Sequence, residues 1–135
     1  MLVGGGAEVD KSDPDDGQTA LILAAEAGRT EVIAALLAAG AAVDKVNNQG
    51  ITPLLMAAQE GLAEIVATLL AAGAEVDKTD SNEITPLWWA AQNGHMTTAQ
   101  ALLSAGADKS VKMQWGTPLE IARWQGHAEV VALLL

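Results

Sequence analysis

Cysteine, phenylalanine and tyrosine are absent from this 135-residue chain. Without cysteine there is neither a disulfide framework nor a thiolate metal site. With four tryptophans as its only aromatics, the chain has to build its core from Ala, Leu, Val and Ile, which suits thin, closely spaced layers of small helices. Positive charge is scarce, since 7 Lys and Arg against 17 Asp and Glu give a formal charge of −10. That charge repels phosphate backbones and anionic lipid surfaces, so neither nucleic acid nor a membrane is expected as a partner. No apolar run reaches the ~18 to 20 residues that cross a bilayer. Met1-Leu2-Val3 followed by Gly4-Gly5-Gly6 lacks the charged and apolar parts of a secretion signal. These absences point to one intracellular, cytoplasmic domain around a shared core.

What is present is periodic. Thr19, Thr52, Thr85 and Thr117 stand at intervals of 33, 33 and 32 residues, within Gln18-Thr19-Ala20-Leu21, Ile51-Thr52-Pro53-Leu54, Ile84-Thr85-Pro86-Leu87 and Gly116-Thr117-Pro118-Leu119. Three of the threonines lead to an alanine pair and a glycine, as in Ala57-Ala58-Gln59-Glu60-Gly61, and on to Leu-Leu pairs followed by Gly40, Gly73 and Gly106, while Thr117 leads to Gly126. Thr then Pro is an N-cap followed by the first helical position, where a missing N–H costs nothing. Short helices are therefore expected from Pro53, Pro86 and Pro118, ending at Gly61, Gly94 and Gly126 as Gly28 ends the first. Second helices follow, with Val32, Ile33, Leu36 and Leu37 at helical spacing, and likewise Ile65, Val66, Leu69 and Leu70. Val43-Asp44-Lys45 and Val76-Asp77-Lys78 start the chain toward the next turn. No single unit buries its apolar face, so stability has to come from stacking.

A period near 33 with this content resembles the ankyrin repeat, a β-turn followed by two short antiparallel helices. The resemblance covers nearly the whole chain, from Leu2 to Leu135, and implies an all-α repeat solenoid. Its expected divisions are a remnant over residues 1–13, full repeats over 14–46, 47–79 and 80–112, and a truncated repeat over 113–135. Both ends read as uncapped apolar helices, so a truncated or an engineered array is expected, with end-to-end self-association as the alternative role.

The chain departs from the family pattern in several places. Histidine often follows Thr-Pro-Leu in that family, but Ile22, Leu55, Trp88 and Glu120 stand there, which suggests that packing replaces a polar link between repeats. Glu83 and Trp115 occupy the turn position of Gly17 and Gly50, and a non-glycine there would strain or reshape a turn needing positive φ. The last interval is one residue short, and the first turn carries an extra residue around Asp13-Pro14.

Catalytic and metal readings find little support in the residues. His95 and His127 share a register with Arg29 and Leu62, which gives them a structural explanation, and no acid repeats beside them at ligand spacing. No serine lies in a nucleophile elbow. The acids of Asp10-Lys11-Ser12-Asp13-Pro14-Asp15-Asp16-Gly17 do not match a calcium loop, and Gly4-Gly5-Gly6 lacks the Lys of a phosphate loop. No enzyme activity, cofactor or metal is expected.

The resemblance implies a concave binding surface made of turn tips and first helices. Transferred by matching motif, it runs from Asp15, Asp16, Gln18 and Glu26 through Asn48, Gln49, Ile51, Gln59 and Glu60. It continues over Ser81, Asn82, Ile84, Trp88, Gln92 and Asn93 to Met113, Gln114, Trp115, Trp124 and Gln125. All four tryptophans lie between residues 88 and 124, in the C-terminal half of the chain. Trp89 aligns with Leu23, Met56 and Ile121 and is expected in the core, whereas Trp88, Trp115 and Trp124 are candidates for the surface. Glu8, Asp10, Asp13, Asp15 and Asp16 make the N-terminal end acidic. The expected partner is another protein presenting a basic or apolar segment.

Overall fold

Each threonine of the repeated phrase starts a helix by capping it. The side chains of Thr19, Thr52 and Thr85 accept the N–H of Ile22, Leu55 and Trp88 at 3.2, 3.0 and 3.2 Å. Thr117 accepts that of Glu120 at 3.2 Å, and each such cap stabilises by about 1 kcal/mol. The computed structural model describes residues 9–135, so the glycine triplet and the expected helix tail at Leu2-Val3 lie outside the described residues. The helices that begin at these caps are α1 (Ala20–Ala27), α3 (Pro53–Glu60), α5 (Pro86–Gln92) and α7 (Pro118–Gln125). Each leads, past a left-handed glycine, into a second helix: α2 (Thr30–Ala38), α4 (Ala63–Ala71), α6 (Met96–Ser104) and α8 (Ala128–Leu134).

First helices stack on first helices and second on second, giving two layers with the core between them. Ala25, Ala57, Ala58, Ala90, Ala91 and Ala122 are fully buried, so neighbouring first helices approach closely. Leu21, Leu54 and Leu87 fill that layer, and Ile33, Leu36, Ile65, Leu69 and Leu102 fill the other, each such side chain contributing about 1.5–3 kcal/mol on burial. Leu119, which holds the matching position in the last repeat, is only half-buried.

Polar links between repeats are present after all, made by residues other than the one after Thr-Pro-Leu. Asp10, Asp44 and Asp77 accept the N–H of Ala42, Glu75 and Asp108 at 2.8, 3.2 and 3.1 Å, so the Val-Asp-Lys phrase ties one repeat to the next. The Nε2 atoms of His95 and His127 lie 3.0 Å from the carbonyl oxygens of Gln59 and Gln92. At the turn tips, the N–H of Asn48 donates to Asp16 O at 3.0 Å and that of Ser81 to Gln49 O at 3.1 Å.

The turns differ in length as the extra residue at Asp13-Pro14 and the short last interval imply. The first closes from Asp13 N–H to Gln18 O at 2.9 Å, the next two from Asn47 to Ile51 at 3.2 Å and Asp80 to Ile84 at 3.1 Å, and the last from Met113 to Gly116 at 3.2 Å. Glu83 keeps the left-handed backbone of its glycine counterparts, at φ 63° against 72° for Gly50. Trp115 does not, because in the shortened turn Gly116 takes the positive φ, at 101°.

The difference has a steric cause. A Cβ on Gly50 would lie 2.8 Å from the backbone nitrogen of Ser81, because the next tip presses against it. Among the described residues, no corresponding backbone bond joins the last turn to the tip at Asn82. Glu83 stands exposed at its tip, without a bond matching the one that closes over Gly50.

Candidate functional site

Trp88 and Trp89 are consecutive on α5, so their side chains leave the helix about 100° apart. One turns into the stack and the other lies along its surface. Trp88 is 5% exposed, as its counterparts Ile22 and Leu55 are buried. It meets Trp89 edge to face with ring centroids 5.4 Å apart, and Trp115 of the short last turn at 6.0 Å, separations at which aromatic pairs attract. Trp124 on α7 is 77% exposed and Trp115 43%.

These rings enclose a hollow of about 320 Å³, bounded also by Asn82, Ile84, Gln92, Ile121 and Gln125. A second hollow of about 400 Å³ is lined by Asn48, Gln49, Ile51, Gln59, Asp80, Ser81, Asn82 and Trp89. Trp89 and Asn82 line both, so the two form one groove along turn tips and first helices. Amide contacts brace it: Gln125 donates to Gln92 Oε1 at 3.1 Å, and Asn93 to Gln59 O at 3.0 Å.

Twelve of the residues expected to touch a partner line one hollow or the other. Asn82, Ile84, Trp88, Gln92, Trp115, Trp124 and Gln125 meet at the first; Asn48, Gln49, Ile51, Gln59 and Ser81 meet at the second, which Asn82 also reaches. Ile84 and Trp88 are buried, which corrects their expected role from exposed contacts to walls of the groove. The sequence reading of Trp89 as a core residue is corrected in the opposite sense, because it is half-buried and lines both hollows. Its counterpart Leu23 is 48% exposed, so the position is apolar without being uniformly interior.

Asp15, Asp16, Glu26, Glu60 and Gln114 are exposed outside both hollows. Gln18 is occupied in accepting the Asn47 amide at 2.9 Å, Asn93 in bonding Gln59, and Met113 in closing the last turn. Asp80 and Ile121 were not foreseen. Asp80 had a signal, since it matches Asn47 at the opening of the preceding turn. Its Oδ1 accepts the N–H of Asn82 at 2.8 Å and of Ile84 at 3.1 Å, as Asn47 Oδ1 accepts those of Gln49 and Ile51. Its Oδ2 accepts the indole N–H of Trp89 at 3.4 Å.

Two carboxylates titrate below their ordinary range, and both serve local structure. The N–H and then the hydroxyl of Thr117 hold Glu120 down, in a capping box at the start of α7. The hydroxyl and then the N–H of Ser110 do the same for Asp108. Among the described residues, no group of three His, Asp or Glu is placed to hold a metal ion.

The family model described as "Ankyrin repeats (3 copies)" matches residues 1–80 and 64–135, which together run the length of the chain. The chain belongs to the ankyrin repeat family. No curated protein matches it. Ankyrin repeats are generally protein–protein interaction modules, and the groove lies where turn tips and first helices of an ankyrin stack meet. Among the described residues, no helix is long and apolar enough to cross a membrane.

Proposed function

We propose that this ankyrin stack binds a segment of another protein along the groove of its two hollows, with Trp115 and Trp124 as the apolar anchors. The observation that carries this reading is the exposure of Trp124 and Trp115 at the rim of a hollow whose walls are already built. Tryptophan gains much from desolvation and loses little conformational freedom, which is why it is enriched where binding energy concentrates. The buried Trp88 and Ile84 hold the rim in place, so docking requires little rearrangement. A surface of about 800 Å² per partner is typical of such contacts.

Charge supports a partner with basic and apolar features. The chain carries −10, its N-terminal tips expose Asp15 and Asp16 beyond the groove, and the C-terminal hollow offers indoles, so a segment reaching along the tips passes from an acidic to an aromatic surface. The role is binding, not catalysis, since the lining combines indoles, amides and a single carboxylate without a nucleophile and base in contact.

Selection of short random peptides on the immobilised full chain, followed by affinity measurement, tests the reading. Trp124→Ala is expected to weaken the selected peptides at least about tenfold while leaving the melting temperature unchanged, since the ring is 77% exposed. Undiminished affinity in both Trp124→Ala and Trp115→Ala, with the fold intact, would overturn it.

A further inference from the structure

We infer that Asp80 and Trp89 together form a seat for a cationic side chain of the bound partner, an arginine by preference. The inference rests on the groove reading above and specifies the chemistry of its second hollow.

The comparison of two turns inside the molecule carries it. Asn47 and Asp80 do the same backbone work, each accepting two N–H groups of its own turn through Oδ1. A neutral amide suffices for that task at Asn47. Asp80 adds a negative charge that the turn does not require, and it places that charge beside an indole, with Oδ2 3.4 Å from Trp89 Nε1. The bond is long for N–H···O, and a carboxylate oxygen has more than one acceptor site, so Oδ2 retains capacity for a further donor.

The surroundings fit a cation and no other charge. Asp80 and Trp89 line the same hollow, and no Lys, Arg or His lines either hollow, so the carboxylate meets no cation of its own there. The face of an indole is the strongest of the side-chain π-surfaces for a cation. A guanidinium is planar, stacks on an aromatic face and donates within its plane, so one arginine can lie on Trp89 and reach Asp80 together. Gln49 and Gln59, in the same hollow, supply neutral acceptors for its remaining N–H groups. The chain's −10 charge favours the approach of such a segment.

The test uses the full chain, a peptide selected on it that competes at the groove, and the same peptide with citrulline, the neutral isostere, in place of arginine. The peptides are expected to carry a basic residue, and the citrulline exchange is expected to weaken binding about tenfold, as for a desolvated cation on an indole beside a carboxylate. In Asp80→Asn that difference is expected to shrink below about threefold. Asn47 shows that an asparagine maintains this turn, and an unchanged melting temperature checks it. If the citrulline penalty is the same in Asp80→Asn and Trp89→Leu as in the parent, or if groove-binding peptides lack a basic residue, the seat is overturned and the groove reading stands. Failure to select any groove-binding peptide overturns both.

Discussion

The joint between the second and third repeats and the joint between the third and fourth share one core and differ at the surface. At the first, equal turns stack tip on tip, Ser81 bonds Gln49, and Gly50 is hemmed in by the Ser81 backbone. At the second, the turn from Met113 to Gly116 is one residue shorter, the tip bond has no counterpart among the described residues, and Glu83 occupies the glycine position. The short turn brings Trp115 to within 6.0 Å of Trp88. The core beneath continues unbroken through Ala90, Ala91, Ile121 and Ala122. A one-residue change in a loop thus goes with the loss of a rung of the tip ladder and the arrival of an indole at the rim, without disturbing the stack, as the tolerance of surface loops allows.

Three measurements sharpen or break that contrast. The largest effect is expected from Trp88→Ala, which empties the wall shared by the open joint and the core. Chemical denaturation should show a loss of about 3–5 kcal/mol. A loss under about 1 kcal/mol would mean that the hollow is not anchored in the core.

The next is a pair of opposite sign at equivalent positions. Gly50→Ala meets both a left-handed backbone and the Ser81 nitrogen, so it should cost about 2–3 kcal/mol. Glu83→Gly relieves a left-handed residue at an exposed tip and should gain about 1 kcal/mol. Equal and opposite effects would break the comparison, because they would leave no room for the crowding difference.

The smallest concerns the cap of the last repeat. Glu120 titrates below its ordinary value because the N–H of Thr117 bonds its carboxylate. A depressed carboxyl contributes stability that is present above its unfolded value and is lost as pH falls through the lower folded one. The advantage of the parent over Glu120→Ala in melting temperature should therefore hold at neutral pH and fade in acid below about pH 4. An advantage that persists at the lowest pH would assign Glu120's role to packing instead of the capping box.

Much of the groove's framework was legible in residues, for stated reasons. The repeated Thr, followed by Pro in three of the four repeats, declared the start of each first helix because capping chemistry is local, and the extra residue at Asp13-Pro14 and the short last interval declared the long first turn and the short last one. The division between Trp88 and Trp89 was not legible. Aligned with Ile22, Leu55 and Glu120, Trp88 looked like a position of mixed chemistry, yet Glu120 is there only because it reaches back to cap its own helix. The contact of Asp80 with Trp89 was not legible either, because the two residues lie nine positions apart in the chain.

By itself the sequence determined the ankyrin period, the caps, the length of every turn and the excess of negative charge, since each depends on residue type, spacing or short-range bonding. Tertiary structure alone decided which tryptophan is wall and which is rim, which carboxylate stands beside an indole, and where the stack opens. Those outcomes depend on the repeat stacked next door, and a residue's burial is set by what its neighbour leaves uncovered.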